Sequence, residues 1–496
     1  MMTKINSMLI ANRGEIAIRI ASTAKKMGIK TYGIRTTKEP TALYLQHVDE
    51  IIDFPDRDKN EVPEFLDIEN IILLAKRHKI DSIHPGYGNL SENAHFATRC
   101  TEEGITFIGP SPRIIHNMGD KIIAKELAQK SNVPMLGGSD TCIATVDEAK
   151  DIAQEIGYPI IIKASAGGGG RGMRIVYKES DLKDMFIAAS TEASIAFNNP
   201  AVFVEKYLED PRHIEVQIVA DNYGNVIHLG ERECTIQRKY QKVIEEAPSC
   251  ALTPELRKKI TSAAVALAKQ AKYSSLGTVE FLLDKNNDFY FMEMNTRIQV
   301  EHPITEMITG LDLVELQIRI ANREKLPIKQ SDVKFTGWAI ECRINAEDSQ
   351  ADFAPCIGVI KAMRLPEGEN IRIDRGIGVN SEITPHFDSM IAKLIVHSKD
   401  RKTAIKDMLE ALNNFHVKGV KTTKSFQKAV LHNKKFVSGD FTTSFLEKDL
   451  ESTIFMEGEE DLAAALFAAS HFVGQHEAKG KIDNRTDGWR MNNKLN

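Results

Sequence analysis

Hydrophobic positions in the first third of the chain follow two periods in turn. Residues 8–11 form a short apolar run that reads as a strand, and the 3.6-residue recurrence over 15–27 reads as a helix. Residues 30–34 and 82–84 read as further strands, with a helix over 68–78 between them. Such strand–helix–strand alternation predicts a parallel sheet in a Rossmann-like domain. The first turn, Ala11-Asn12-Arg13-Gly14-Glu15, holds one glycine where a dinucleotide fingerprint has three, so no NAD site is expected.

A second region opens at Met118-Gly119-Asp120-Lys121 and runs to about Asn322, where Arg323-Glu324-Lys325-Leu326-Pro327 reads as a connector. From about Lys334 the pattern alternates: Trp338, Ile340, Cys342 and Ile344 fall on one face of a strand, and Glu341, Arg343 and Asn345 on the other. An Ala-rich amphipathic pattern over 459–478 and a polar end over 479–496 follow, the latter expected to be loose. The expected domains are 1–117, 118–322 with a lid over about 135–205, and 334–447, then a tail over 448–496.

The chain has 496 residues, 42% hydrophobic and 27% charged, which fits a globular protein of about three domains. Sixty-four Lys plus Arg against 69 Asp plus Glu leave a net charge of −5, which argues against nucleic acid or an anionic membrane as partner. The longest small-apolar run, 462–473, is shorter than the roughly 20 residues a membrane helix needs. No signal-peptide core follows Lys4, so a cytoplasmic location is expected. Cys100, Cys142, Cys234, Cys250, Cys342 and Cys356 are scattered without a C-x-x-C, so free buried thiols are expected rather than zinc or disulfides.

Gly167-Gly168-Gly169-Gly170-Arg171-Gly172 lies between apolar runs at 158–163 and 173–177 that both read as strands. Rossmann and P-loop sites need a helix after the glycines, and Met173-Arg174 stands where a Walker motif has Lys-Ser/Thr. A glycine hairpin over phosphates, with Lys163 and Arg171 as cations, is the functional reading; a flexible surface loop is the alternative.

Residues 277–283 and 289–295 read as a hairpin with Asn286-Asn287 at the turn centre. That register sets Glu280 opposite Glu293, with Asn295 next on the same face. Like charges so placed destabilise a sheet unless a cation lies between them. Two carboxylates and an amide oxygen suit Mg²⁺ or Mn²⁺ bridged to phosphate, against the alternative of two solvated glutamates. Arg297, Gln299 and Glu301 continue on one face of 297–303, a cation and a carboxylate able to hold an anion and take its proton. The charged run 231–242, ending at Lys242, reads by charge alone as solvated surface.

From about Met8 to Glu447 the chain resembles the biotin carboxylases of the ATP-grasp superfamily. The resemblance rests on Ile10-Ala11-Asn12-Arg13-Gly14-Glu15-Ile16-Ala17, His84-Pro85-Gly86-Tyr87-Gly88, Lys163-Ala164-Ser165-Ala166 with the glycine run, Glu205-Lys206-Tyr207-Leu208-Glu209, Arg212-His213-Ile214-Glu215, Lys242-Val243-Ile244-Glu245-Glu246-Ala247-Pro248, the stretch 293–303, and Glu341-Cys342-Arg343-Ile344-Asn345-Ala346-Glu347. It implies an α/β and α+β architecture: a Rossmann-like N-terminal domain, a central ATP-grasp domain with a glycine-loop lid, and a β-rich C-terminal domain.

The resemblance further implies that Lys121, Lys163, Gly167, Gly168, Gly169, Gly170, Glu205, Lys206, Leu208, His213, Gln237, Glu280 and Glu293 surround ATP. Glu280, Glu293 and Asn295 would hold Mg²⁺ or Mn²⁺, two ions in all. Lys242, Arg297, Gln299 and Val300 would hold bicarbonate, and Glu301 would be its general base. Arg343 and Tyr87 would meet biotin. The implied reaction joins bicarbonate to the γ-phosphoryl of ATP as carboxyphosphate, which breaks down to CO₂ and phosphate before biotin is carboxylated. Arg343 would stabilise the biotin enolate oxygen.

No Ala-Met-Lys-Met tetrapeptide occurs, so biotin is expected on a separate carrier protein, with the carboxyltransferase also in trans and the tail as a docking segment. Arg19 would lie near a homodimer interface. The final acceptor stays open among acetyl-CoA, other acyl-CoA and pyruvate. Two departures from the family pattern are Asn89, where Phe is usual, and Tyr240, where His is usual. The competing readings are another ATP-grasp ligase and a catalytically silent nucleotide-binding subunit.

Overall fold

The computed structural model describes residues 4–55, 62–164, 173–197 and 199–450. The glycine run with Gly167, Gly168, Gly169 and Gly170, and the tail patterns from 451 onward, lie outside the described residues.

Strands β1 (Ser7–Ile10), β2 (Lys30–Arg35), β3 (Glu50–Asp53), β4 (Ser82–His84) and β5 (Thr106–Phe107) form a parallel sheet in the order β3-β2-β1-β4-β5. Helix α1 (Gly14–Lys26) buries Ile16, Ala17, Ile20, Ala21 and Ala24, the stripe its 3.6 period requires. Helix α2 (Ile68–Arg77) buries Ile71, Ile72, Leu74 and Ala75 in the same way. The edge strands β3 and β5 carry too little pattern to be read from sequence: one is Glu-Ile-Ile-Asp, the other two residues long. Gly376 lets a distant segment approach the start of α1, since a Cβ there would lie 2.7 Å from the Glu15 nitrogen.

Strands β6 (Ile160–Ala164), β7 (Met173–Val176) and β8 (Val202–Lys206) form a separate antiparallel sheet. Its core is its own: Ile160, Ile162, Val176, Phe186, Val202 and Val204.

The site is carried by an eight-stranded antiparallel sheet. It contains β9 (Arg212–Ala220), β10 (Val226–Arg238), β11 (Gln241–Ala247), β12 (Ser275–Leu283), β13 (Phe289–Asn295) and β14 (Trp338–Asn345). The order is β13-β12-β9-β10-β11-β14, then strand Met390–Ser398 and edge strand Ile371–Arg375. Hydrogen bonding thus continues across the connector at 323–327, through the β11–β14 pair. On one face Val216, Val279 and Phe281 pack with Leu256, Ile260 and Leu267 of helix Pro254–Gln270. The period of two then sends Glu215 and Glu280 to the opposite face.

The solvated surface expected over 231–242 is instead interior: Glu231, Arg232 and Glu233 are 1%, 0% and 2% exposed. The strand sits mid-sheet with both faces covered, so its charges are paired inside the protein. On β14 the polar face is buried as well, Glu341 having no exposed surface.

Candidate active site

β12 and β13 set Glu280 opposite Glu293. The turn itself differs from the two-residue Asn286-Asn287 expectation. The Asp284 carboxylate accepts from the Asn286 and Asp288 amides, and Asn287 takes a left-handed φ of 65°. Next to this three-residue tip the pairs are Leu283 with Phe289 and Phe281 with Phe291. Met292 is therefore an extra residue, a bulge that restores the Glu280–Glu293 pairing at the site.

Glu280 is buried, Glu293 is open to solvent, and the buried Asn295 donates Nδ2 to Glu280 Oε1 at 2.8 Å. Burial would lift the Glu280 carboxyl, but Lys242 and His213 outweigh it and hold the group well below the usual range. Glu293 is raised by the surrounding protein and then by the negative charge of Glu280.

Lys242 is the hub. Its Nζ lies 2.5 Å from Glu215, 3.0 Å from Glu280 and 2.8 Å from Glu301. Burial would lower this ammonium, but the three carboxylates raise it well above its ordinary value. Glu215 is in turn held by the buried Arg232, which also donates to Gln217 at 2.8 Å and Thr305 at 2.9 Å.

Glu301 occupies the N-cap of helix His302–Thr309 yet makes no capping bond. Its oxygens go to Lys242 and, at 2.9 Å, to Arg343 Nη2, while the positive helix end favours its charge. Burial would raise Glu301; Lys242, Arg343 and Arg232 prevail and hold it well below the usual carboxylate range. Arg343 also donates Nε to Glu245 at 2.6 Å. Burial, with only part of its charge offset by Arg343, pushes the Glu245 carboxyl up to about 7.

Arg297 reaches Glu92 at 3.0 Å, Gln299 Oε1 at 2.7 Å and Asn295 Oδ1 at 3.2 Å, and Gln299 Nε2 lies 3.3 Å from Glu280. The Val300 carbonyl accepts from Lys393 at 2.8 Å. Tyr87 donates its hydroxyl to Glu15, and burial with that carboxylate raises the phenol well above its ordinary value.

The residues expected around ATP fall into two groups. His213 Nδ1 meets Gln237 Nε2 at 2.8 Å, and its Nε2 lies 2.8 Å from Glu280 Oε2, which joins this pair to the carboxylates. Lys163 donates to Glu205 at 2.6 Å, Lys125 pairs with the same carboxylate, and Lys121 donates to the Ala164 carbonyl at 2.9 Å. Lys206 spends its ammonium on the Gly157 and Tyr158 carbonyls, and Leu208 is half-buried just after β8. Tyr240 is exposed at the β10–β11 tip, where it and Lys239 both have positive φ.

The carboxylate set suits a hard cation, as the donor chemistry predicts. Among the described residues, ligand atoms within 4.8 Å of one another belong to His213, Glu215 and Glu280, and to Glu215, Cys234 and Glu301; neither group includes Glu293.

Sequence reasoning gave no role to Glu215, Arg232, Cys234, Glu245 or Lys393. The six cysteines are free, but Cys234 is more than packing, its Sγ lying 4.0 Å from Glu301 Oε1. Lys393 could have been found as the one charge in the run Met390-Ile391-Ala392-Lys393-Leu394-Ile395-Val396.

Comparison with known proteins agrees with this arrangement. Residues 4–115 match the biotin carboxylase N-terminal domain, 120–329 the carbamoyl-phosphate synthase L chain ATP-binding domain, and 341–448 the biotin carboxylase C-terminal domain. Biotin carboxylase of Nostoc sp. is 50% identical over 445 residues, 90% of this chain and 99% of that one. A pyruvate carboxylase subunit of Methanothermobacter thermautotrophicus is 49% identical over 443 residues, 89% of this chain and 90% of that one. The biotin carboxylase domain dimer of Hydrogenobacter thermophilus 2-oxoglutarate carboxylase, solved with MgADP, ADP and bicarbonate, superposes with a TM-score of 0.88 at 47% identity, covering 92% of this chain and all (100%) of that one. Biotin carboxylase of Campylobacter jejuni superposes with a TM-score of 0.87 at 44% identity, covering 90% and 99%.

Fold and matches together define an ATP-grasp ligase that forms a C–N bond. The chain belongs to the biotin carboxylase family, whose reaction is the ATP-dependent carboxylation of biotin with bicarbonate, the first half-reaction of biotin-dependent carboxylases.

Proposed function

We propose that Lys242, Arg297, Gln299 and the Val300 backbone hold bicarbonate, that Glu301 takes its proton, and that Arg343 and Tyr87 receive biotin. Lys121, Lys163, Glu205, Lys206, Leu208, His213 and Gln237 hold the nucleotide, together with the glycine run. The observation that carries this reading is the Lys242 ammonium, which touches Glu280 on the phosphate side and Glu301 on the bicarbonate side.

Glu280, Glu293 and the Asn295 amide are the residues to hold Mg²⁺ or Mn²⁺, which neutralise charge on the phosphate oxygens. Binding there requires Glu280 to exchange its contacts with Lys242 and Asn295 for the ion, leaving the ammonium for substrate. Glu301 is kept anionic by three cations and is a weak base until an incoming anion shares them. Arg343 suits the biotin side because it stays charged and offers a planar fork of donors.

The carrier protein and carboxyltransferase act in trans, the chain works in the cytoplasm as a homodimer, and its parts are the domains 1–117, 118–322 and 334–447. Two observations support this: single-subunit relatives match nearly end to end, and no helix among the described residues is long and apolar enough to cross a membrane. The dimeric 2-oxoglutarate carboxylase domain supports the homodimer. The decisive assay is ATP cleavage by the purified chain: it should require bicarbonate and Mg²⁺ and accelerate with free biotin. Cleavage independent of bicarbonate would refute the site assignment.

A further inference from the structure

Strand Met390–Ser398 is apolar and fully buried around one charge: Ile391, Ala392, Leu394, Ile395 and Val396 are 0% exposed, and so is Lys393. A buried ammonium costs several kcal/mol to desolvate, and an apolar side chain would fill the strand without that penalty. A local pattern broken at such expense points to a task for the residue.

Its contacts identify the task. Lys393 Nζ donates to the Val300 carbonyl at 2.8 Å and lies 3.1 Å from Glu15 Oε1. Glu15 is itself buried at the start of α1 and accepts the Tyr87 hydroxyl, so the same carboxylate serves the ammonium and the phenol. Asp374, 3.8 Å away, adds a weaker contact from one neighbouring strand, and Arg343 lies directly across on the other.

The Val300 carbonyl and the Glu301 N–H belong to one planar peptide, so a donor on the carbonyl also fixes the backbone from which the Glu301 carboxylate springs. On the other arm, the Tyr87 hydroxyl can be released only by breaking a bond to a carboxylate that Lys393 holds.

We propose that Lys393 is a positioning residue of the carboxylation site, keying the bicarbonate-side peptide Val300–Glu301 and, through Glu15, the biotin-side Tyr87 to one buried ammonium. The proposal rests on the roles given above to Val300, Glu301 and Tyr87.

Lys393→Met keeps length and removes the charge. The folded variant should show a KM for bicarbonate raised at least tenfold and a lowered kcat, with the KM for ATP within twofold of the parent; a purely structural residue would not split the constants so. Glu15→Gln and Tyr87→Phe test the other arm: each should raise the KM for free biotin, and the double variant should be no worse than the worse single. Glu301→Gln is the control, read as bicarbonate-dependent ATP cleavage. If Glu301→Gln behaves as the parent, the site assignment itself fails and the proposal with it. With Glu301→Gln inactive, wild-type bicarbonate kinetics in Lys393→Met overturn the proposal alone. Should Lys393→Met fail to fold, the Glu15–Tyr87 pair decides, and additive effects there overturn it.

Discussion

Arg343 Nη2 and Glu301 Oε2 are joined at 2.9 Å, and the other Glu301 oxygen is 2.8 Å from Lys242. One carboxylate thus links the residue assigned to biotin with the residue assigned to bicarbonate. Both bonds are charge-assisted and shielded from water, which makes each stronger than its surface counterpart. Loading either substrate must loosen one of them, so the two half-steps share a single anion.

Glu301→Gln preserves shape and hydrogen-bonding reach but removes the base. Bicarbonate-dependent ATP cleavage should fall about 10²- to 10⁴-fold, while nucleotide binding, followed by fluorescence titration, stays near the parent value. Near-normal turnover would take Glu301 out of the proton transfer.

For Arg343→Ala the loss should fall on the acceptor. Carboxylation of free biotin is expected to drop about 10²-fold or more, with the KM for ATP little changed. A comparable loss of ATP affinity would reassign the residue to the nucleotide.

Glu293→Gln removes a hard oxygen ligand opposite Glu280. Turnover should be lost at ordinary Mg²⁺ concentration, with any remaining activity needing far more metal, and chelation should silence the parent. Full activity at low metal in a Mg²⁺ titration would show that Glu280 holds the ion without Glu293.

Acid stability should depend on His84. Burial pushes its pKa down to about 3, and its Nδ1 accepts the Gly86 N–H at 3.0 Å, a bond that protonation removes. Because the folded value lies below the unfolded value of about 6.5, the unfolded chain takes up the proton first. The contribution is therefore complete above about pH 6.5 and is lost as pH falls toward the folded value, about 2 kcal/mol of it by pH 5. His84→Gln keeps an acceptor that does not titrate, so its urea midpoint should decline less between pH 7.5 and 5 than that of the parent. An equal decline in both proteins would rule the histidine out.

The parts legible in sequence were those that repeat locally. Ile16, Ile20 and Ala24 announce α1 by spacing, and β1, β2 and β4 are short apolar runs bounded by polar turns. The Glu280–Glu293 register came out right because the shorter-than-expected offset at the tip and the bulge at Met292 cancel, and no local pattern announces that bulge. The ion pairs were not legible, since their partners are distant in sequence: Val300 and Lys393 are 93 residues apart, Glu301 and Arg343 are 42. Charge density at 231–242 misled for the same reason, because Arg232 is neutralised by Glu215 on the neighbouring strand rather than by water.

An ammonium has three N–H donors, and Lys242 faces three carboxylates, those of Glu215, Glu280 and Glu301. The site is consequently an ion exchanger whose resting counter-ions are tethered to the resin. A substrate anion enters by swapping places with a glutamate, so the binding constant reports a difference between two occupants and is modest by construction. The tethered glutamate is also at a fixed, high local concentration, which rejects stray chloride or acetate without any steric gate. Selectivity then belongs to whichever anion can use the neighbouring Arg297 fork as well, and a planar oxyanion with several acceptors is the kind that can.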